Sequence, residues 1–265
     1  MNANFHLEVL GLKRELEQNR VLFGGVTFSL KSGDVLFIAG PSGVGKTLLL
    51  RSIACLDDVQ GGKILLDGRP PEEVGFPDWR AQVCYVPQSR VNFAGTPTEF
   101  YFQAQQFTSQ KGRPRGDLPS LIHELGLEQT VLNQAWSTLS GGQAQRVALA
   151  IAVALRPLVL LLDEPSSACD PVSTRRVEKV LKESGAALVW VTHDVDQPLR
   201  VGGRLLELPG CRLTPLPTPT LPPGTLTPSV SQASLAGGSD VSEGVPLGAP
   251  ITEATLGDER QVSVK

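Results

Sequence analysis

One stretch of the sequence combines glycines, a lysine and a hydroxyl at a spacing that suits a phosphate group. It matches G-x-x-x-x-G-K-[ST] at every fixed position and consists of Gly40, Pro41, Ser42, Gly43, Val44, Gly45, Lys46 and Thr47. An apolar run over 34–39 precedes it, and a helix-forming run over 48–54 follows it. Strand, glycine loop and helix in this order are the context that the motif requires.

This phosphate loop predicts a nucleoside triphosphate site. Its glycines let several backbone N–H groups converge on one anion, and the positive end of the helix dipole adds to that field. Lys46 is predicted to reach the β- and γ-phosphates, and the Thr47 hydroxyl is predicted to be a ligand of Mg²⁺. A plain glycine turn before a helix is the alternative.

Two adjacent carboxylates end a later apolar run. Asp163 and Glu164 follow the nearly all-aliphatic residues 158–162, and acids at the end of a buried strand are costly unless they serve a ligand. We predict that Asp163 holds Mg²⁺ and that Glu164 orients the attacking water as general base. Two exposed acids that open a turn are the alternative.

A second predicted helix start also carries the residue types of an anion site. After Leu139 the chain places a serine, two glycines and a glutamine, namely Ser140, Gly141, Gly142 and Gln143. One nucleotide does not need two complete phosphate-binding helix ends from one small domain. We therefore expect this helix start to bind the nucleotide of a second copy of the chain.

The elements that must position these residues indicate an α/β fold. Residues 5–10 and 26–30 alternate apolar and polar side chains, as half-buried antiparallel strands do. Residues 158–162 and 187–191 are nearly all apolar, which predicts a mainly parallel sheet buried on both faces. Helical segments with Gly and Pro between them fill about 92–150. We therefore predict an α/β fold of the P-loop NTPase class, with a mainly parallel buried sheet, an antiparallel β subdomain and a helical insertion.

The composition of the chain indicates where the folded domain ends and which partners and compartment to expect. Pro, Thr, Ser and Gly dominate from residue 210 onward, so we expect a folded domain over 1–209 and a mostly disordered tail over 210–265. A net charge of -3 gives no global electrostatic reason to expect nucleic acid. The 4 cysteines are scattered, which is typical of reduced thiols in a cytosol-like compartment. No secretory signal or membrane-spanning run is evident, so a membrane role would need a partner.

Together these motifs resemble the ATP-binding subunits of ABC (ATP-binding cassette) transporters. The resemblance rests on the LSGGQ signature at 139–143, between a phosphate loop and an Asp–Glu pair, and covers about residues 5–208. It implies the ABC ATPase fold, ATP and Mg²⁺ as cofactors, and a dimer closed around two ATP molecules. It also implies a separate transmembrane permease subunit and a place on the cytoplasmic face of a membrane. The other half of the dimer would be a second copy or a related chain.

Three further positions take roles through this resemblance alone. It implies that Gln88 contacts Mg²⁺ or the attacking water, that Asp170 faces the other protomer, and that His193 contacts the γ-phosphate. The chain departs from the family pattern at two places. Residues 13–18 hold no aromatic side chain to stack on adenine, and Cys169 stands where leucine is usual.

The missing aromatic leaves the base preference open. Leu16 offers only an apolar platform, so the preference for ATP over GTP is less secure. Phe5 and Phe23 are possible substitutes, although each is expected to be a core residue.

The cargo is the least defined property. Residues 189–194 are weakly similar to bacterial iron-export ATP-binding proteins, and 142–150 are similar to plant aluminium-tolerance ATP-binding subunits. These resemblances favour metal- or stress-related transport, while import of phosphate or another small solute stays open. The alternative function is a non-transport ABC ATPase in DNA maintenance, translation or iron–sulfur assembly. For the first two, the chain lacks the usual long coiled-coil insertion or second cassette.

Overall fold

Two β-sheets organise the computed structural model, which describes residues 5–16 and 20–217, all within the compact unit Met1–Thr220. The strands are β1 (His6–Leu16), β2 (Arg20–Lys31), β3 (Val35–Ala39), β4 (Gly61–Leu66), β5 (Val83–Val86), β6 (Val159–Asp163), β7 (Ala187–Val191), β8 (Arg204–Glu207) and β9 (Arg212–Pro215). The larger sheet has the order β5-β6-β7-β3-β8-β9, and the smaller sheet has the order β2-β1-β4.

The helices lie mostly between the strands of the larger sheet. They are α1 (Lys46–Ile53), α2 (Pro71–Val74), α3 (Phe76–Gln82), α4 (Pro97–Gln106), α5 (Leu118–Glu124), α6 (Gly141–Ala154), α7 (Pro171–Glu183) and α8 (Gln197–Val201). Three short 3₁₀ turns, Thr108–Gln110, Gln129–Asn133 and Trp136–Thr138, occur between α4 and α6. Within residues 5–16 and 20–217, no helix combines the length and the apolarity that a bilayer span requires.

The larger sheet brings the functional segments to one edge. Its strands β5, β6, β7, β3 and β8 run parallel, and every residue of β6 and β7 is buried. Apolar side chains on both faces therefore pack against helices, as the uninterrupted apolar runs predicted. The phosphate loop follows β3, Gln88 follows β5, Asp163 ends β6 and His193 follows β7. The carboxyl ends of parallel strands form the edge where such sheets bind ligands.

The antiparallel hairpin β1–β2 is longer than its alternation pattern predicted. Strand β1 continues from residue 10 to Leu16, and β2 begins at Arg20. The pairing register shifts between Val9 and Leu12, and again further along β1. Each bulge adds an unpaired residue and so interrupts the period of two on which the sequence prediction depended.

Residues near 210 also differ from the prediction. Strand β9 lies inside the stretch 210–265 for which the composition predicted disorder, and it pairs antiparallel with β8. Leu213 is the Cα partner of Leu206, which is buried. The ordered part of the chain therefore extends past residue 209, because pairing with an existing sheet edge orders a segment that has no pattern of its own. Residues 218–265 lie outside the described residues.

Candidate active site

The phosphate loop is a tight turn that requires glycine at its two ends. Gly45 has a φ of 104°, and a Cβ there would lie 2.6 Å from Leu22 Cδ2. Gly40 has a φ of 150°, and a Cβ there would lie 2.7 Å from the Leu208 carbonyl oxygen. A side chain at either position would push the loop away from its neighbours. The two ends of the loop are therefore closely packed against Leu22 and Leu208.

The ammonium group of Lys46 lies within the turn of this loop. Lys46 is buried, and its Nζ donates hydrogen bonds to the carbonyl oxygens of Gly40 at 2.9 Å and Pro41 at 3.0 Å. A buried ammonium needs such partners. They hold the positive charge beside the backbone N–H groups that a phosphate would contact.

Asp163 joins the phosphate loop to the sheet. Its Oδ2 accepts hydrogen bonds from Thr47 Oγ1 at 2.8 Å and from the Tyr85 hydroxyl at 3.1 Å, and only 3% of the residue is exposed. Burial, followed by the charge of Asp163, raises the pKa of Tyr85, so the phenol stays protonated and remains a donor. The sequence predicted Asp163 and Thr47 but not Tyr85.

The oxygen atoms of Thr47 and Asp163 form a donor set that suits Mg²⁺. This ion prefers hard oxygen ligands, and it usually takes only one or two from the protein and the rest from phosphates and water. In the described part of the chain, no cluster of three or more His, Cys, Asp or Glu side chains could hold a metal by itself. Thr47 and Asp163 would therefore supply only part of the coordination of such an ion, as is usual for Mg²⁺.

Glu164 lies between Gln88 and His193. Gln88 Nε2 donates to Glu164 Oε2 at 2.8 Å, and His193 Nε2 lies 2.9 Å from Glu164 Oε1. The side chain of Glu164 is 16% exposed and that of His193 is 59% exposed, so the pair lies at the mouth of the site. The structure thus brings together the three residues that the sequence predicted to be catalytic.

The start of α6 forms a capping box. Ser140 Oγ accepts a hydrogen bond from the Gln143 N–H at 3.2 Å, and Gln143 Oε1 accepts one from the Ser140 N–H at 2.8 Å. In the described chain, no hydrogen bond joins the segment 140–143 to the phosphate loop of the same molecule. This segment therefore makes no direct link to its own predicted nucleotide site.

Asp170 caps helix α7. Its Oδ1 accepts hydrogen bonds from the N–H groups of Val172 at 2.9 Å and Ser173 at 3.0 Å, and its Oδ2 accepts one from Ser173 Oγ at 2.6 Å. These bonds, led by the Ser173 hydroxyl, lower the pKa of Asp170 to about 2. The sequence reasoning treated Asp170 as a residue that faces a partner and missed this capping role, although Asp before Pro is a common helix start.

The aromatic substitutes for adenine stacking belong to the core. Phe5 is 5% exposed and Phe23 is 1% exposed, and both pack in the apolar cluster around α1 and the smaller sheet. The expectation that they are core residues is confirmed, and neither offers a ring face to a base.

Comparison with known proteins decides the family. A family model described as "ABC transporter" matches residues 23–167, which is more than half of the chain. The chain belongs to the ABC transporter family. The family resemblance predicted from the signature and the phosphate loop is thereby confirmed.

Two relatives show how far this ABC protein resembles named family members. It is 35% identical to the "Fe(3+) ions import ATP-binding protein FbpC 3" of Rhodococcus jostii, over 81% of this chain and 63% of that protein. It is 33% identical to the "Aliphatic sulfonates import ATP-binding protein SsuB 2" of Agrobacterium fabrum, over 76% of this chain and 75% of that protein. The chain thus spans less than two thirds of the length of FbpC 3.

The fold of this ABC protein also has solved counterparts. A structure described as the ATP-binding subunit of an ABC transporter aligns with a TM-score of 0.71 at 24% identity, over 79% of this chain and 90% of that chain. The predicted α/β P-loop fold is confirmed by this likeness.

Proposed function

We propose that this ABC protein is an ATP-binding and ATP-hydrolysing subunit that drives a transmembrane partner. The observation that carries the proposal is the meeting of two residue sets at one sheet edge. Thr47 and Asp163 are hydrogen-bonded at 2.8 Å, and the carboxylate of Glu164, the residue after Asp163, is held by Gln88 and His193. The first set suits a nucleotide with Mg²⁺, and the second suits an ordered water.

ATP would bind along the phosphate loop, Gly40–Thr47. The backbone N–H groups of the loop and the Lys46 ammonium would contact the phosphates, with the positive end of α1 behind them. We propose Thr47, Asp163 and Gln88 as ligands of Mg²⁺, which would neutralise phosphate charge when bound. The short distance between Thr47 and Asp163 supports this assignment, since both oxygens can contact one ion.

Hydrolysis would depend on the orientation of Glu164. Its carboxylate would accept a proton from the attacking water, and Gln88 and His193 fix the two carboxylate oxygens separately. His193 must carry its proton on Nε2 to donate to Glu164. The exposed position of His193 suits a contact with the γ-phosphate.

A second protomer would complete each site. The capping box occupies the N–H of Gln143, while the N–H groups of Gly141 and Gly142 make no hydrogen bond within the described chain. These two groups lie at the positive end of the 14-residue helix α6 and suit a phosphate oxygen. We propose that they bind the ATP of the partner protomer, and that Asp170 lies at the same interface.

The names of the relatives support a proposal for the partner and the cargo. Because FbpC 3 and SsuB 2 are named as import ATP-binding proteins, we propose a peripheral position on the cytoplasmic face, beside a permease subunit. The name of FbpC 3 supports a metal cargo, in line with the metal- or stress-related transport expected from the sequence. The name of SsuB 2 supports instead the import of a small solute, which is the alternative that the sequence left open. Purification from the native membrane, followed by identification of the co-purifying membrane subunit, tests the partner directly.

The substitution Glu164→Gln tests the enzymatic part of the proposal. It keeps the size of the side chain but removes the base, so ATP binding and ATP-dependent dimer formation should persist while turnover falls at least about 100-fold. Light scattering with and without ATP measures the dimer, and phosphate release measures turnover. The matched control is Glu128→Gln, because Glu128 is exposed and lies outside the site. Full turnover in Glu164→Gln would remove Glu164 from its role, and a wild-type protein without ATPase activity would overturn the proposal.

A further inference from the structure

The side chain of Gln145 links helix α6 to the loop that follows β6. Its Nε2 donates to the Glu164 carbonyl oxygen at 2.9 Å and lies 3.4 Å from Ser167 Oγ. Its Oε1 accepts a hydrogen bond from the Ala168 N–H at 3.0 Å. Both ends of one amide therefore bind the backbone of one loop, which glutamate or a hydrophobic side chain could not do.

The backbone of Glu164 is a sensitive point for such a link. Glu164 has a φ of 50°, which is uncommon for a residue other than glycine and must be held by its surroundings. Its N–H donates to the Val191 carbonyl at 3.0 Å, and its carbonyl accepts the Ser167 N–H at 3.2 Å. Gln145 supplies a further hydrogen bond to that carbonyl. The direction of the Glu164 side chain thus depends partly on α6.

The first turn of α6 also touches the same loop directly. A Cβ on Gly142 would lie 2.7 Å from the Ala168 carbonyl oxygen, so only glycine permits this approach. A small cavity of about 130 Å³ lies beside the contact and is lined in part by Gln88, Gln145 and Ser167. Elements packed this closely cannot shift independently. A movement of the start of α6 must therefore also displace residues 164–168.

We infer that Gln145 is a positioning residue that couples the start of α6 to the carboxylate of Glu164. The inference rests on the proposed function, in which the start of α6 binds the partner's ATP while Glu164 acts on the ATP of its own protomer. Gln145 then connects the two nucleotide sites of the dimer through a single protomer. Closure on one ATP orients the general base for the other.

Kinetics of the Gln145→Ala variant test the positioning role. We expect turnover to fall about 10- to 100-fold, because a displacement of about 1 Å at a reacting group has effects of this size. ATP affinity should stay within about twofold, because the hydrogen bonds of Gln145 in the described chain go to Glu164, Ser167 and Ala168 rather than to the phosphate loop. The Hill coefficient for ATP should fall toward one. Gln103→Ala, an exposed glutamine in α4, is the matched control.

Mixed dimers separate action within a protomer from action across the interface. In the first, one protomer carries Glu164→Gln and its partner carries Gln145→Ala, so the intact Glu164 has lost its own Gln145. In the second, one protomer carries both substitutions and its partner is wild type. We expect the first mixed dimer to be impaired about 10-fold or more relative to the second. Equal activities of the two would overturn the inference.

Hydrogen exchange tests the same link without nucleotide. In Gln145→Ala the amide of Ala168 loses its acceptor, so exchange over residues 164–170 should accelerate at least about fivefold relative to Gln103→Ala. Unchanged exchange there would overturn the positioning role even if the wild-type protein had no ATPase activity. Absent ATPase activity in the wild type with accelerated exchange would overturn only the proposed function.

Discussion

Thr47 Oγ1 and Asp163 Oδ2 lie 2.8 Å apart although 116 positions separate them in the chain. The hydrogen bond joins the first turn of α1 to the end of β6. It holds the phosphate loop and the acidic strand end together, which is the arrangement that the proposed Mg²⁺–nucleotide site requires. Such preorganisation lowers the free energy that binding must spend on ordering.

The Tyr85 hydroxyl should help to fix the Asp163 carboxylate and so affect the Mg²⁺ requirement. Tyr85→Phe removes one of the two hydrogen bonds to Asp163 Oδ2, so the carboxylate becomes less well fixed. We expect the Mg²⁺ concentration for half-maximal ATPase activity to rise about two- to fivefold, and the free energy of unfolding to fall by about 1 kcal/mol. Mg²⁺ titration at fixed ATP and urea unfolding measure the two effects. Tyr101→Phe is the control, because the Tyr101 hydroxyl makes no hydrogen bond within the described residues. An equal rise in the half-maximal Mg²⁺ concentration for Tyr101→Phe would contradict the role given to Tyr85.

Gly45 and Gly43 should respond differently to alanine. Both have positive φ, but a Cβ on Gly45 meets Leu22 at 2.6 Å, whereas a Cβ on Gly43 meets nothing within 4 Å. Gly43→Ala should cost about 1–2 kcal/mol of unfolding free energy from backbone strain alone. Gly45→Ala should cost more and should abolish ATP binding, as measured by denaturation and by equilibrium titration with a fluorescent ATP analogue. Equal costs would contradict the packing described for the loop.

The capping carboxylate of Asp170 should make stability depend on acidic pH. Its pKa in the folded protein is lowered to about 2, below that of an unfolded aspartate. The stabilisation is thus present above about pH 4 and is lost as the pH falls toward 2. Asp170→Asn keeps an acceptor but cannot titrate, so its melting temperature should fall less than that of the wild type between pH 4 and pH 2. If the melting temperatures of the wild type and Asp170→Asn fell by the same amount between pH 4 and pH 2, the prediction would be wrong.

A buried carboxylate on helix α7 depends on one arginine. Glu178 is 7% exposed, and its Oε1 accepts hydrogen bonds from Arg200 Nη2 at 2.8 Å and Gln197 Nε2 at 2.9 Å. Arg200→Met leaves this charge without its ionic partner and should cost about 3 kcal/mol of unfolding free energy. Adding Glu178→Gln should recover part of the loss.

An exposed ion pair of the same helix is the control for this prediction. Lys179 and Glu183 are 4.0 Å apart on the surface of α7, so Lys179→Met should change the unfolding free energy by less than about 0.5 kcal/mol. Chemical denaturation measures both variants. If Lys179→Met and Arg200→Met lowered the unfolding free energy by similar amounts, burial of Glu178 would have no special effect.

Segments with a strong local pattern were predictable from the sequence, and segments that depend on pairing were not. Residues 158–162 and 187–191 are apolar throughout and form the buried strands β6 and β7. Strands β8 and β9 were missed because each has only four residues and takes its order from a neighbouring strand. The capped starts of α4 and α6 follow from local side chains, which the sequence displays.

The residues of the candidate site also fall into those that the sequence predicted and those that it did not. The motifs located Lys46, Asp163 and Glu164, because each lies at a fixed offset from a glycine loop or a strand end. Tyr85 and Gln145 were missed, because their partners are distant in sequence or lie on another element. Residue type alone gives no sign of such contacts.

Strand β9 has a practical consequence for shortened versions of the protein. A chain cut at residue 209, where the composition changes, would strip β8 of its antiparallel neighbour and expose the row of N–H and C=O groups that now pairs with Arg212–Pro215. Open strand edges recruit other chains and promote aggregation. Pro215 and the short length of β9 normally limit such pairing. Truncation after residue 217 should therefore give monodisperse material, and truncation after residue 209 should give precipitate.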